Sequence, residues 1–194
     1  MRTVTGRRTE IMEVAAALFA ERGIGATTVR EIGESAGVLS GSLYHHFSSK
    51  DEIVREVLAD FMDQVERAFS AVTASSTSPE QTVRGLVRAT LDCIDSHPHA
   101  TRIYQRDRAY LRQHGLLDAI DGKSRAVRRH WRAAIDAGLA SGDFRADVPG
   151  DVFYRSLRDT LWGTMHWPNR ASWSTEEFAD LMASMFLGGF RAAS

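Results

Sequence analysis

Thr27-Thr28-Val29-Arg30-Glu31-Ile32-Gly33-Glu34-Ser35-Ala36-Gly37-Val38-Leu39-Ser40-Gly41-Ser42-Leu43-Tyr44-His45-His46-Phe47-Ser48-Ser49-Lys50-Asp51-Glu52 is the stretch on which the fold turns. Thr28 and Glu31 form a capping box that opens a helix with Val29, Ile32 and Ala36 on one side. Gly37 breaks that helix, at a point where a left-handed residue makes a tight turn. A third helix is expected from about Leu39 to Phe47, with Leu39, Leu43 and Phe47 as its buried side. Its other face, Ser40, Gly41, Ser42, Tyr44 and His45, is small or polar. Small residues let a backbone approach a surface closely, and hydroxyls, a phenol and an imidazole can donate to phosphates or base edges. The second helix of a helix-turn-helix has this task in the major groove. Ser49-Lys50-Asp51-Glu52 gives another capping box, whose helix N-terminus is a natural phosphate site.

Upstream, Ile11, Val14, Ala15, Leu18 and Phe19 recur at helical spacing until Gly23. Downstream, Ile53 to Val72 is a long apolar-periodic run, on the order of 30–35 Å at 1.5 Å per residue. A small polar loop is expected over residues 73–78. Ser78, Pro79 and Gln81 start the next helix, which stops near His97-Pro98. A less regular helical piece follows over residues 100–111, then a helix from about Leu117 to Ser141. Asp147 and Pro149 start one that runs to Trp167, and a capping box at Ser174 and Glu177 opens the last. No strand pattern stands out. The expectation is an all-α chain of about nine helices. A three-helix helix-turn-helix domain with a basic arm is expected over residues 1–50, and a second helical domain over residues 51–194.

Composition agrees. Of 194 residues, 43% are hydrophobic and 25% charged, as in a globular protein. Net charge is −1, which argues against a generic polyanion binder. Residues 1–50 hold six Arg or Lys against five Glu, with Arg2, Arg7 and Arg8 leading without an acid. The lone cysteine, Cys93, excludes an internal disulfide and fits a reducing, cytoplasmic setting. On a helix among apolar residues it reads as packing. No apolar run is long enough to span a membrane. No Gly-rich phosphate loop, His-Glu-x-x-His or nucleophile elbow is present, so neither an enzyme nor a cofactor is expected. Asp92, Asp95, His97 and His99 cluster in sequence, but their spacing matches no standard metal site, and a helix C-terminus accounts for them.

Thr27 to Val38, Ser40 to Phe47 and Ser49 to Glu52 together resemble the DNA-binding domain of the TetR family of repressors, continuously from about Ile11 to Leu58. Gly33 stands where that family usually has Ala. The resemblance implies that Thr28 and Lys50 hold phosphates. It also implies that Ser40, Gly41, Ser42 and His45 face bases or backbone, that Tyr44 touches phosphate, and that Arg7 and Arg8 reach along the DNA. It implies a homodimer on double-stranded operator DNA, released by a small-molecule effector, with residues 51–194 as the helical effector-binding and dimerisation domain. Val38 to Phe47 and Arg155 to Trp162 are further similar to actinobacterial TetR-type repressors of sterol catabolism, whose effectors are acyl-CoA intermediates.

One helix-turn-helix reads one half-site, so two copies must be set about one DNA turn apart. The dimer seam is expected on the last two long helices: Phe153, Leu157, Leu161 and Met165 on one, Met182, Met185, Phe186 and Gly189 on the other. The same stripes also read as intramolecular core. Arg158, Trp162 and His166 fall at i, i+4, i+8, one stripe of a helix that otherwise reads as buried. Arg106, Arg125, Arg128 and Arg129 are placed near the same region. Guanidinium groups match phosphates and indole offers a stacking face, so an acyl-CoA thioester fits. Pairing of Arg158 with Asp159 of the partner subunit, or with another acid, is the plainer reading, with Trp162 at an interface. Phe61, Leu91, Tyr104, Arg128, Trp131, Arg158, Trp162 and His166 are the candidate effector residues. The effector signal is expected to pass through the helix at 50–72. The alternative is a helical ligand-binding protein or enzyme that carries a helix-turn-helix-like unit without operator-specific binding.

Overall fold

A computed structural model describes residues 4–190, and of residues 4, 5, 40 and 119 the backbone only. Arg2 lies outside the described residues. The chain is all-α: α1 Val4–Arg22, α2 Val29–Ser35, α3 Ser40–Leu43, α4 Lys50–Ser75, α5 Pro79–Ser96, α6 Pro98–Arg106, α7 Arg108–Gln113, α8 Leu116–Ser141, α9 Gly150–Gly163 and α10 Thr175–Phe190. Two short 3-10 turns lie between α9 and α10. The helices form two compact units, Met1–Asp63 with His97–Lys123, and Gln64–Ser96 with Ser124–Ser194.

In the first unit α1 packs on α2 and α6. Ile11, Phe19, Ile32, Leu43, Phe47, Ile53 and Leu58 are all at most 1% exposed and make one core. Each such side chain contributes roughly 1.5–3 kcal/mol on burial. Gly23 ends α1 at φ 96°, where a Cβ would be strained. Arg106 at the end of α6 donates to the carbonyls of Phe19 and Ala20, at 2.6 and 2.9 Å, so it satisfies the open end of α1. Placing Arg106 near an effector is therefore corrected: its guanidinium is committed to a helix terminus.

In the second unit α10 lies against α5, and α5 against α9. Phe153 stacks on Phe190 at 3.9 Å between ring centroids, and Phe144 sits 4.8 Å from the same ring. Gly138 on α8 leaves room for the Phe144 ring, which a Cβ would strike. Cys93 is buried, and burial beside Asp92 pushes its thiol up to about 11. That suits a packing residue and not a reactive thiolate.

Local signals placed most boundaries. Ser78 Oγ accepts from Gln81 N–H at 3.2 Å, with Pro79 as the first helical residue. Ser174 Oγ accepts from Glu177 N–H and the Glu177 carboxylate takes the Ser174 N–H, closing that box. Four expectations shift. The irregular piece at 100–111 is cut at Asp107 into α6 and α7, so ten α-helices appear among the described residues. The loop over 73–78 shrinks, because α4 runs to Ser75 with the Thr73 and Ser75 hydroxyls bonded back to its own carbonyls. The helix expected to reach Trp167 stops at Gly163 and tightens into a 3-10 turn. At Ser49, Oγ does cap Glu52 N–H, yet the Glu52 carboxylate returns to Ser48 instead.

Candidate nucleic-acid interface

The reading element is built from few residues. Thr28 caps α2: its Oγ1 accepts from Glu31 N–H at 3.2 Å, and the Glu31 carboxylate takes the Thr28 N–H at 2.8 Å. The Thr28 N–H and then the Thr28 hydroxyl, both donating to the Glu31 carboxylate, hold that carboxyl below its usual range. Gly37, at φ 65°, then turns the chain, and Val38 N–H reaches back to the Gly33 carbonyl at 2.9 Å. Only Ser40–Leu43 is α-helical in this segment, and residues 44–46 continue as turn. Leu43 (0% exposed) and Phe47 (1%) peg this segment into the core.

Its outer face is open. Gly41, Ser42 and His45 are exposed, and Tyr44 is 56% exposed. The backbone of Ser40 opens the helix, and its side chain lies outside the described ones. Leu39 is 83% exposed, against the expectation that it joins the buried side. It precedes α3 with extended backbone (ψ 140°), so the helical phase of Leu43 and Phe47 does not apply to it. Sequence reading missed it because leucine reads as core; its place just ahead of Ser-Gly-Ser was the available signal.

The basic residues stand differently from the expected arm. Helix α1 already includes Arg7 and Arg8. Arg7 donates to the carbonyls of Ala36 and Gly37, at 2.8 and 3.0 Å, and pairs with Glu10. Arg8 donates to the His46 carbonyl, pairs with Glu52 and Glu56, and covers the Phe47 ring at 4.0 Å. One arginine thus holds the turn before α3 and the other holds the carbonyl after it. The bond to Glu56 is the main cause that raises Arg8 above the usual guanidinium value, and burial opposes it. Lys50 donates to the carbonyls of Ile24 and Thr27 at 2.7 and 2.9 Å, tying the α1–α2 loop to α4. Beside it, Asp51 accepts from Tyr110 Oη at 2.8 Å and lies 2.8 Å from His114 Nδ1. Burial works to raise Asp51, but these two hydrogen bonds prevail and its carboxyl stays below the usual range.

The candidate effector residues fall in both units. Phe61 is buried in the first, where Tyr104 lies half-buried under Arg108. In the second unit Leu91 and Trp131 are buried, and Arg125, Arg128 and Arg129 are exposed. Trp131 stands 6.3 Å from Tyr154, and the Arg158 guanidinium lies 5.5 Å over that ring. Arg158 is half-buried and pairs with the adjacent Asp159 at 2.6 Å. Burial disfavours its charge, and Asp159 and Tyr154 more than offset this. Trp162 is half-buried and His166 exposed. The expected single stripe breaks after Trp162, since the helix ends at Gly163. Asp95, from the sequence cluster of acids and histidines, is taken by Arg170 and Thr175 at 2.7 and 2.6 Å.

The two dimer stripes separate by exposure. Phe153, Leu157, Leu161 and Met182 are buried within their own unit, which corrects their place in a dimer seam in favour of the core reading, and Met165 is half-buried. Met185 (58% exposed) joins Val152, Phe186 and Gly189 along an open apolar groove of about 300 Å³.

The family model described as bacterial regulatory proteins, tetR family, matches residues 11–57. A second, described as tetracyclin repressor-like, C-terminal domain, matches residues 76–190. The chain is 39% identical over 185 residues to the HTH-type transcriptional repressor KstR2 of Mycolicibacterium smegmatis, covering 94% of this chain and 90% of that protein. It is 40% identical over 164 residues to KstR2 of Mycobacterium tuberculosis, covering 84% and 82%. A solved structure described as the ketosteroid transcriptional regulator KstR2 of Mycobacterium tuberculosis superposes with a TM-score of 0.88 at 35% identity, covering 96% of each chain.

Proposed function

The chain belongs to the TetR family of bacterial transcriptional regulators, which are not enzymes, and from that premise we propose that it represses transcription by binding a palindromic operator as a homodimer and leaving it when a small molecule binds. The observation that carries this reading is the open face of α3, where Gly41, Ser42, Tyr44 and His45 stand outward on a segment pegged by Leu43 and Phe47. Leu39 adds an apolar group suited to a thymine methyl. Thr28 and Lys50 supply phosphate contacts at the two helix N-termini, once Lys50 exchanges its carbonyl partners for phosphate. DNA binding is assigned to residues 1–50, and effector binding and dimerisation to residues 51–194. The helix α4 starts at Lys50, the last residue of the first, and runs on in the second. A DNA operator as partner puts the chain in the cytoplasm.

The groove along Val152, Met185, Phe186 and Gly189 is the dimer seam in this reading, because apolar surface of that kind on two long helices is favourable to cover. The effector is an acyl-CoA thioester with a steroid-derived acyl group. The description of the Mycobacterium tuberculosis relative as a ketosteroid regulator supports the acyl part. Support for the phosphate part comes from Arg158, whose carboxylate partner Asp159 is exposed and can give way to a phosphate, with Trp162 one helical turn on. The effector would favour a conformation whose recognition helices are wrongly spaced for DNA, and its affinity difference sets the extent of release.

Fluorescence anisotropy tests this. The DNA upstream of the protein's own coding region should bind in preference to a shuffled fragment, with affinity that falls steeply with salt. A monomer in solution with no preference between fragments overturns the reading.

A further inference from the structure

The apolar stripe that α4 gives to the second unit, Val65 and Phe69, is interrupted by Glu66. Its Oε1 lies 3.0 Å from Nε2 of His130 on α8. The side chain is 34% exposed as a whole, yet Oε2 is buried and has no hydrogen-bond partner among the described residues. The imidazole is fixed from its other side, with Nδ1 3.3 Å from Oγ1 of Thr73. That hydroxyl lies 3.2 and 3.1 Å from the carbonyls of Phe69 and Ser70, so its proton serves its own helix. His130 Nδ1–H then donates to Thr73 Oγ1, and one proton sits between Nε2 and Oε1. Oε2 is left as an acceptor. The packing around the pair is aromatic: buried Phe69 stands edge-on to His130 at 6.2 Å and to the buried Trp131 at 6.0 Å.

A buried acceptor without a donor is destabilising, and where a chain keeps one, a group from outside completes it. We propose that Glu66, positioned by His130 and Thr73, is an anchor of the effector site that accepts the hydrogen bond of a hydroxyl group on an otherwise apolar ring ligand. A carbonyl or carboxylate brings no proton to Oε2. An ammonium brings three, where one acceptor is open. The aromatic neighbours suit a ring body. This rests on the steroid-effector reading above and narrows it: the ring system carries an alcohol at the end that reaches Glu66.

Two probes that differ at one carbon test it, a four-ring steroid alcohol and the ketone at the same position, titrated calorimetrically into the full chain. The alcohol should bind at least about tenfold tighter. In the paired variant Glu66→Leu with His130→Phe the preference should disappear, because no acceptor is left to take the hydroxyl proton. Equal binding by wild type, or a preference that survives this paired variant unchanged, overturns the anchor. Failure of the steroid reading looks different, since neither probe binds. Stability then decides. The paired variant Glu66→Leu with His130→Phe should melt at or above wild type, as expected when a polar pair kept for a ligand is replaced by apolar groups. Melting well below wild type makes the pair a structural support and ends the proposal.

Discussion

Arg8→Ala separates two roles for the same side chain, because a brace and a phosphate contact leave different signatures. Arg8 pairs with Glu52 and Glu56, whose side chains are 25% and 33% exposed, so water recovers part of what the substitution removes. Each pair is then worth about 0.5–1 kcal/mol. The cation over Phe47 adds about 0.5–1 kcal/mol, and the bond to the His46 carbonyl about 1 kcal/mol. These contributions overlap, and a net loss of about 2 kcal/mol is expected, equivalent to a fall in Tm of roughly 4–8 °C for a chain of this size. Operator affinity measured well below that Tm should fall as the end of α3 loosens. Its salt dependence should stay as in wild type, since a residue bonded to Glu52, Glu56 and His46 releases no counterions. The assay is a melting curve together with anisotropy titrations across a salt series. Were Arg8 a phosphate contact, the slope of log affinity against log salt would drop by about 1.8, at 0.9 per phosphate and two copies per dimer. That drop with an unchanged Tm would refute the bracing argument.

Tyr44→Ala should weaken operator binding about tenfold with little change in Tm, because the side chain is 56% exposed and supports no core; a gel-shift titration checks the first half of the claim and a melting curve the second. Arg158→Ala should blunt release by acyl-CoA and leave DNA affinity intact, so unchanged induction removes Arg158 from the effector site. Gly138→Ala should destabilise by about 1–3 kcal/mol, read by urea unfolding, as its methyl would displace the Phe144 ring. Asp51 has its folded carboxyl held below the unfolded value of about 3.9, so its contribution is full above that value and vanishes as pH falls through the lowered one. Asp51→Asn should therefore lower Tm at neutral pH, and its curve should meet that of wild type in acid.

Much of the fold was legible because its signals are local. Thr28 with Glu31, Ser78 with Pro79 and Ser174 with Glu177 mark starts that the backbone obeys within a residue. The open face of α3 was legible for the same reason, its small and polar residues lying consecutively between Gly37 and Phe47. Other features depended on partners distant in sequence. Arg7 and Arg8 read as a free arm until Ala36, Gly37, Glu52 and Glu56 are brought beside them, about 30 to 50 residues away. Leu157 and Met182 carry the same apolar signal whether a partner chain or their own unit covers them. Glu66 and His130, 64 residues apart, gave no sign of each other.

The way α3 is held has a consequence for how such a chain can diverge. Leu43, Phe47 and the two arginines of α1 fix the segment from behind, and none of these contacts runs through Gly41, Ser42, Tyr44 or His45. The outward positions can therefore be exchanged one at a time at little thermodynamic penalty. A lineage carrying this scaffold is free to acquire a new target site by drift at four letters, while selection on folding stays blind to the change.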